Sequence, residues 1–155
     1  MPDMAKPVPQ KGCVLGFDFG EKRTGIAVGD LDVRIAHPLT TVMAATRQER
    51  FNAITPLVEQ WRPVIFVVGL PLHTDGHEHD MTQKVRKFAN QLNGRFNLPC
   101  FMENEMLTSV EATHHLHQEG VFGVRHKMAV DQAAAQIILQ GFFNHLQSIN
   151  PDSHV

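Results

Sequence analysis

The chain predicts an α/β protein, a mixed five-stranded sheet flanked by helices. Three observations predict it. Two apolar segments, Cys13 to Phe19 and Thr24 to Asp30, flank a turn containing Gly20 and read as a β-hairpin. Val64-Ile65-Phe66-Val67-Val68-Gly69 is continuously apolar, the signature of a strand covered on both faces. From Arg47 onward, segments with helical spacing alternate with short apolar runs.

Taken in order, the hairpin is followed by a third apolar stretch, Arg34 to Val42. His37-Pro38 interrupts it and predicts an edge strand or a bulge. Arg47 to Trp61 switches to helical spacing, with Phe51, Ile54, Leu57, Val58 and Trp61 on one side. Pro56 is expected to kink or shorten this helix, and Pro63 to end it. Leu70 to Asp80 reads as a long polar loop after the buried strand. Thr82 to Phe96 is the next helix, with Val85, Phe88, Ala89 and Leu92 inward and Lys84, Arg86 and Lys87 outward. Leu98 to Glu103 is a short fifth strand. Ser109 to Glu119 reads as a helix capped by Thr108 or Ser109. Gly120 to Gly123 breaks the pattern, Arg125-His126-Lys127 is basic, and a last helix runs from Met128 to His145. The expectation is one domain over 12–147, with flexible termini at 1–11 and 148–155.

A chain of 155 residues is long enough to bury a core without disulfides or a structural metal. Its hydrophobic content of 43% and charged content of 19% are those of an ordinary globular protein. The formal net charge of −2 announces no nucleic-acid binder, so contact with phosphate would have to come from a local basic patch. Cys13 and Cys100 fall in strand-like runs and read as reduced core thiols of a cytoplasmic protein. No run approaches membrane-spanning length, and the polar, Pro-containing start lacks the apolar core of a signal peptide.

The chemistry sits in the acids. Asp18 occupies a strand position where Val or Ile would serve a core, among Leu15, Phe17 and Phe19. A carboxylate there loses hydration, which is costly unless a cation or backbone amides compensate. Two readings stand: a turn cap accepting hydrogen bonds from the Gly20 region, or a ligand of a divalent metal. Asp131 shares a helical stripe with Ala134, Ala135, Ile138 and Phe142, so it lies on the face that packs on the sheet. It either favours the helix dipole, pairs with Lys127 one turn earlier, or approaches a strand end over the small Ala134 and Ala135. Glu105 follows the fifth strand. Ligands of open α/β sheets gather beyond the carboxyl ends of the strands. Asp18, Glu105 and Asp131 are therefore candidates to converge on Mg²⁺ or Mn²⁺. Asp75 and Asp80 read as solvated loop acids. His73, His77 and His79, and His114, His115 and His117, lack the spacing and partners of a metal site and read as surface residues.

Five segments together resemble the YqgF/RuvX family. They are Asp18-Phe19-Gly20 with Lys22-Arg23 and Gly25; Val67-Val68-Gly69-Leu70-Pro71-Leu72 with Asp75-Gly76; Leu107-Thr108-Ser109-Val110-Glu111-Ala112; Lys127 with Asp131-Gln132-Ala133-Ala134-Ala135; and Ile137-Ile138-Leu139-Gln140. The resemblance spans Cys13 to Phe143. It implies a ribonuclease H-like fold related to the Holliday-junction resolvases. It also implies a nuclease processing the 5′ end of pre-16S ribosomal RNA, with Asp18, Glu105 and Asp131 as catalytic metal ligands. One departure stands out: the family's Asp-Glu-Arg after the fifth strand is Asn104-Glu105-Met106 here. The carboxylate of Glu105 is kept, while the preceding acid and the arginine are gone.

The expectation is thus a hydrolase of phosphodiester bonds dependent on Mg²⁺ or Mn²⁺. Lys22, Arg23, Arg125 and Lys127 would engage backbone phosphates of a structured rRNA precursor or of branched DNA. The alternatives are a Holliday-junction resolvase and a non-catalytic binder that assists ribosome assembly. Half of a sugar-kinase-like ATPase shares the hairpin, but this chain is too short for that fold's two domains. Monomer and homodimer both remain open, since only a symmetric junction cutter needs two sites.

Overall fold

Strand alternation sorts the sheet's side chains into two cores. The computed structural model describes residues 8–71, 80–105 and 123–149. Their elements are β1 (Cys13–Asp18), β2 (Arg23–Asp30), β3 (His37–Met43), α1 (Arg47–Trp61), β4 (Ile65–Pro71), α2 (Asp80–Phe96), β5 (Cys100–Glu105) and α3 (Gly123–Ile149). The sheet order is β3-β2-β1-β4-β5. β1, β2 and β3 pair antiparallel, while β4 lies parallel to both β1 and β5. This is the expected mixed five-stranded sheet.

Leu15, Phe17, Phe66 and Val68 point to one face, where Phe51 and Ile54 of α1 and Val85, Phe88, Ala89 and Leu92 of α2 cover them. Val14, Ile65, Val67 and Phe101 point to the other, beneath Ala135, Ile138, Leu139, Phe142 and Phe143 of α3. The first core is aromatic, with Phe17 edge-on to Phe66 at 5.7 Å and to Phe88 at 5.6 Å. Covering both faces explains why β4 is apolar without alternation: Ile65 to Leu70 are all buried.

Several boundaries differ from the sequence expectation. β3 begins at His37 and lies at the sheet edge, and its pairing with β2 shifts register between Ile26 and Ala27, skipping Leu39. Edge and bulge are therefore both present, where Pro38 cannot extend a ladder. α1 continues unbroken through Pro56 to Trp61. The anchors at its ends outweigh one lost backbone bond. Thr46 and Glu49 form a reciprocal capping box, and Arg62 closes the far end in a left-handed conformation (φ 48°). Thr46→Ala is expected to cost about 1 kcal/mol. That lowers the melting temperature by about 3 °C in a thermal scan followed by circular dichroism.

β5 reaches Glu105 because Leu70 and Pro71 extend β4 and offer partners to Asn104 and Glu105. α3 starts at Gly123, five residues before the expected Met128, so Arg125 and Lys127 are helical and exposed. It is also tied to the β2–β3 connection: Gln140 accepts from the Ala36 amide and donates to the Arg34 carbonyl, while Gln136 donates to Ala36. Thr41 of β3 donates to the Met128 carbonyl at 2.7 Å. The expected helix at Ser109 to Glu119, most of the Leu70 to Asp80 loop and the six histidines singled out above lie outside the described residues. Cys13 and Cys100 are free thiols, and burial pushes their pKa values up to about 11 and about 12.

Candidate active site

Period-two alternation carries Val14, Gly16 and then Asp18 onto the α3 face of β1. The same rule carries Phe101, Glu103 and Glu105 onto that face of β5. Asp18 and Glu105 end their strands on the same edge, and α3 brings Asp131 to it. A run of small residues makes this possible. Gly25, paired with Asp18 across the hairpin, lies directly under α3. A Cβ there would collide with the Asp131 carbonyl oxygen. Gly16 sits below Leu139, where a Cβ would come within 2.9 Å of the leucine Cβ. At Gly69 a Cβ would lie 3.2 Å from Glu105 Oε2. Glycines on three strands thus let the helix press onto the sheet where the acids gather.

The proximity shows in the electrostatics. Asp18 has its pKa pushed up from 3.8 to about 8. Lost hydration is the largest cause, followed by repulsion from Glu105 and then from Asp131. Glu105 itself is buried at 7% exposure. Asp131 is held by Arg23, whose Nε donates to Oδ2 at 2.8 Å. This settles how Asp131 is neutralised. It lies in the third turn of α3, beyond the reach of the helix-start dipole, and its cation comes from β2 rather than from Lys127. Arg23, expected to contact phosphate, is occupied by a carboxylate in this structure. Lys22, Arg125 and Lys127 are exposed at their positions.

Glu103 shares the face with Glu105 but belongs elsewhere. Its Oε1 lies 2.9 Å from Nδ1 of His145 on α3. Burial raises its pKa while His145 opposes the rise. Asn104 faces away from the acids, on the side of β5 where Met102 joins the α1–α2 core. The neutral residue at this position therefore does not subtract a charge from the Asp18 cluster. Two features were missed in the sequence: the Arg23–Asp131 pair and the role of Gly25. A glycine in mid-strand opposite a buried acid was the available signal for the second.

The donor set is chemically apt for a hard divalent cation, being all carboxylate oxygen. Among the described residues, however, no group of three His, Cys, Asp or Glu side chains is arranged to hold an ion as it stands. Arg23 draws Asp131 aside, and the repulsion recorded at Asp18 is what a cation would relieve.

A sheet of this order and direction is the ribonuclease H-like architecture. Two solved resolvases share it. RuvC of Thermus thermophilus superposes with a TM-score of 0.50 at 15% identity, covering 88% of this chain and 96% of that one. Fowlpox virus resolvase, solved with Holliday junction DNA, gives 0.51 at 7% identity, covering 86% and 98%. The chain belongs to the RuvX family, described as Holliday junction resolvases, whose sequence model matches residues 12–145. A relative from Methylobacillus flagellatus is 51% identical over 148 residues, covering 96% of this chain and 100% of its own length. One from Neisseria meningitidis is 53% identical over 133 residues, covering 86% and 88%. Both carry the name "Putative pre-16S rRNA nuclease". The chain is thus a member of a nuclease family with a resolvase-like fold. Among the described residues no helix is long and apolar enough to cross a membrane.

Proposed function

We propose that the protein is a Mg²⁺- or Mn²⁺-dependent nuclease that trims the 5′ end of precursor 16S rRNA in the cytoplasm. The observation that carries this reading is the gathering of Asp18, Glu105 and Asp131 at one end of the sheet, where burial first and the two neighbouring acids second push the Asp18 pKa up to about 8. A buried acid crowded by two others is destabilising for a merely structural protein. It is useful where positive charge is to be collected.

Asp18, Glu105 and Asp131 would hold the metal. When bound, the divalent ion supplies charge against phosphate oxygens and makes a water more acidic. The chain's own residues do the rest. Ile138 of α3, buried over Gly69 beside Glu105, keeps bulk water from the inner side of the acids. Arg23 releases Asp131 to the ligand set and turns its guanidinium to a substrate phosphate, the role for which its planar fork is suited. Lys22, Arg125 and Lys127 hold neighbouring phosphates.

Cleavage of a precursor-rRNA 5′ fragment and of a four-way DNA junction, each with Mg²⁺ or Mn²⁺, tests the reading. Preferential cutting of the RNA is expected. Junction cutting instead makes the protein a resolvase, as the family description has it. Binding without cutting makes it an assembly factor. A second measurement probes the metal directly. Asp18 has to lose its proton to ligate, so Mn²⁺ affinity by calorimetry is expected to rise about tenfold per pH unit below pH 8 and level off above it. Affinity independent of pH across that range would remove Asp18 from the ligand set.

A further inference from the structure

On the opposite side of the hairpin end from the acids lies a cleft of about 350 Å³, between the start of α1 and the outer face of α2. Arg47, Arg50, Lys84 and Lys87 line it, with Glu21 as the one carboxylate and Phe19 in its floor. The whole chain carries a formal charge of −2, so this excess of cations in one place is a local departure. Arg50 is the telling member. It is 7% exposed, yet the partners that hold it are neutral: Nη2 donates to the Glu21 carbonyl at 2.8 Å and the guanidinium lies 4.8 Å over the Phe19 ring. The Glu21 carboxylate is engaged by Lys84 at 2.8 Å. Burial of the guanidinium is expensive and weakens its hold on its proton, and the nearby Glu21 carboxylate, which it shares with Lys84, offsets this only in part.

We propose that this cleft seats backbone phosphates of the nucleic-acid strand whose scissile bond lies at Asp18. The inference rests on the nuclease reading and extends it to a second contact surface. Asp18 and Phe19 are consecutive, and alternation sends their side chains to opposite faces of the sheet. The acids and the cleft are thus back to back, separated by the turn that carries exposed Lys22. A strand leaving the acids over that turn enters the cleft within a few nucleotides. Phosphate rather than base is the group recognised. Arg50 covers Phe19 and Phe88 is buried, so the cleft offers no open ring for stacking. Lysines act as point charges suited to phosphate without reading sequence.

The test is binding of a fluorescein-labelled single-stranded RNA by anisotropy across a salt series, in an Asp18→Asn background to prevent cutting. Two variants are compared with that parent. Arg47→Glu with Lys87→Glu reverses two exposed charges. Arg47 is the first residue of α1, where an acid suits the helix N-terminus, so lost binding will not reflect lost folding. The double variant is expected to weaken binding at low salt by tenfold or more. Its slope of log affinity against log salt should also shrink by about 1.4, the equivalent of two single-strand phosphate contacts. Glu21→Gln removes the opposing charge and is expected to tighten binding severalfold, an effect of opposite sign that damage to the fold would not produce. If the parent binds RNA but neither variant shifts affinity or slope, the cleft is overturned and the nuclease reading stands. If the parent binds neither RNA nor a four-way junction, both fall.

Discussion

Replacing Asp18 by Asn is expected to abolish cleavage and to raise the melting temperature in the same protein. The first effect follows from removing a central oxygen ligand. A metal's charge stabilisation is worth several kcal/mol in a phosphoryl-transfer transition state, so the rate should fall by on the order of a hundredfold or more. The second follows from linkage. The folded pKa of Asp18, about 8, lies above its ordinary value of 3.8, so between these values the folded state holds a proton that the unfolded chain has lost. Stability contributed by the protonated acid is fully present below about pH 4 and is lost as pH rises through about 8. Asparagine, neutral throughout, escapes that loss. Without added metal, the variant should melt about 3 °C or more above the parent at pH 8, corresponding to about 1 kcal/mol. The gap should close as pH falls toward 4. A variant that loses activity and stability together at pH 8 would show Asp18 to be a structural cap of the hairpin.

Gly25→Ala carries the largest expected effect on the fold. The added methyl group meets the Asp131 carbonyl oxygen of α3, and backbone on both sides leaves it no flexible neighbour to push aside. Overpacking of this kind costs about 3 kcal/mol. In a chain of this size that lowers the melting temperature by about 9 °C, readable by differential scanning fluorimetry. Activity should fall further than stability does, because the displacement that relieves the clash carries Asp131 away from Asp18. Gly94 provides the control. It lies near the end of α2 with open space around its Cα, and Gly94→Ala should leave both properties intact or raise stability slightly.

The acids proposed for the site were legible because each breaks a local pattern. Asp18 interrupts an apolar strand, and Asp131 interrupts the inward stripe of a helix whose other members are Ala134, Ala135 and Ile138. Glu105 was placed at a strand end, though the strand's true limit depended on its partner β4, which the sequence read as already a loop at Leu70. The basic cleft was less legible. Lys84 and Lys87 were visible as an outward helical face, but Arg47 and Arg50 belong to a different helix, and only packing on the same β1 end joins them.

The sequence by itself determined the order and kind of the described elements, the two-sided core and which acids are candidates for the site. Those depend on period and hydropathy, which are local. It also determined that the strand end at Asp18 had to be compensated, because burial of a carboxylate is costly in any fold. How its neighbour Asp131 is compensated was decided only by the tertiary structure. Arg23 and Asp131 are 108 positions apart and meet because Gly25 lets α3 rest on β2. Asn104 loses its relevance to the acids because the pleat turns it to the opposite face. Which charges meet depends on distances of a few ångströms across elements that no local pattern relates, and Coulomb energies change steeply over that range.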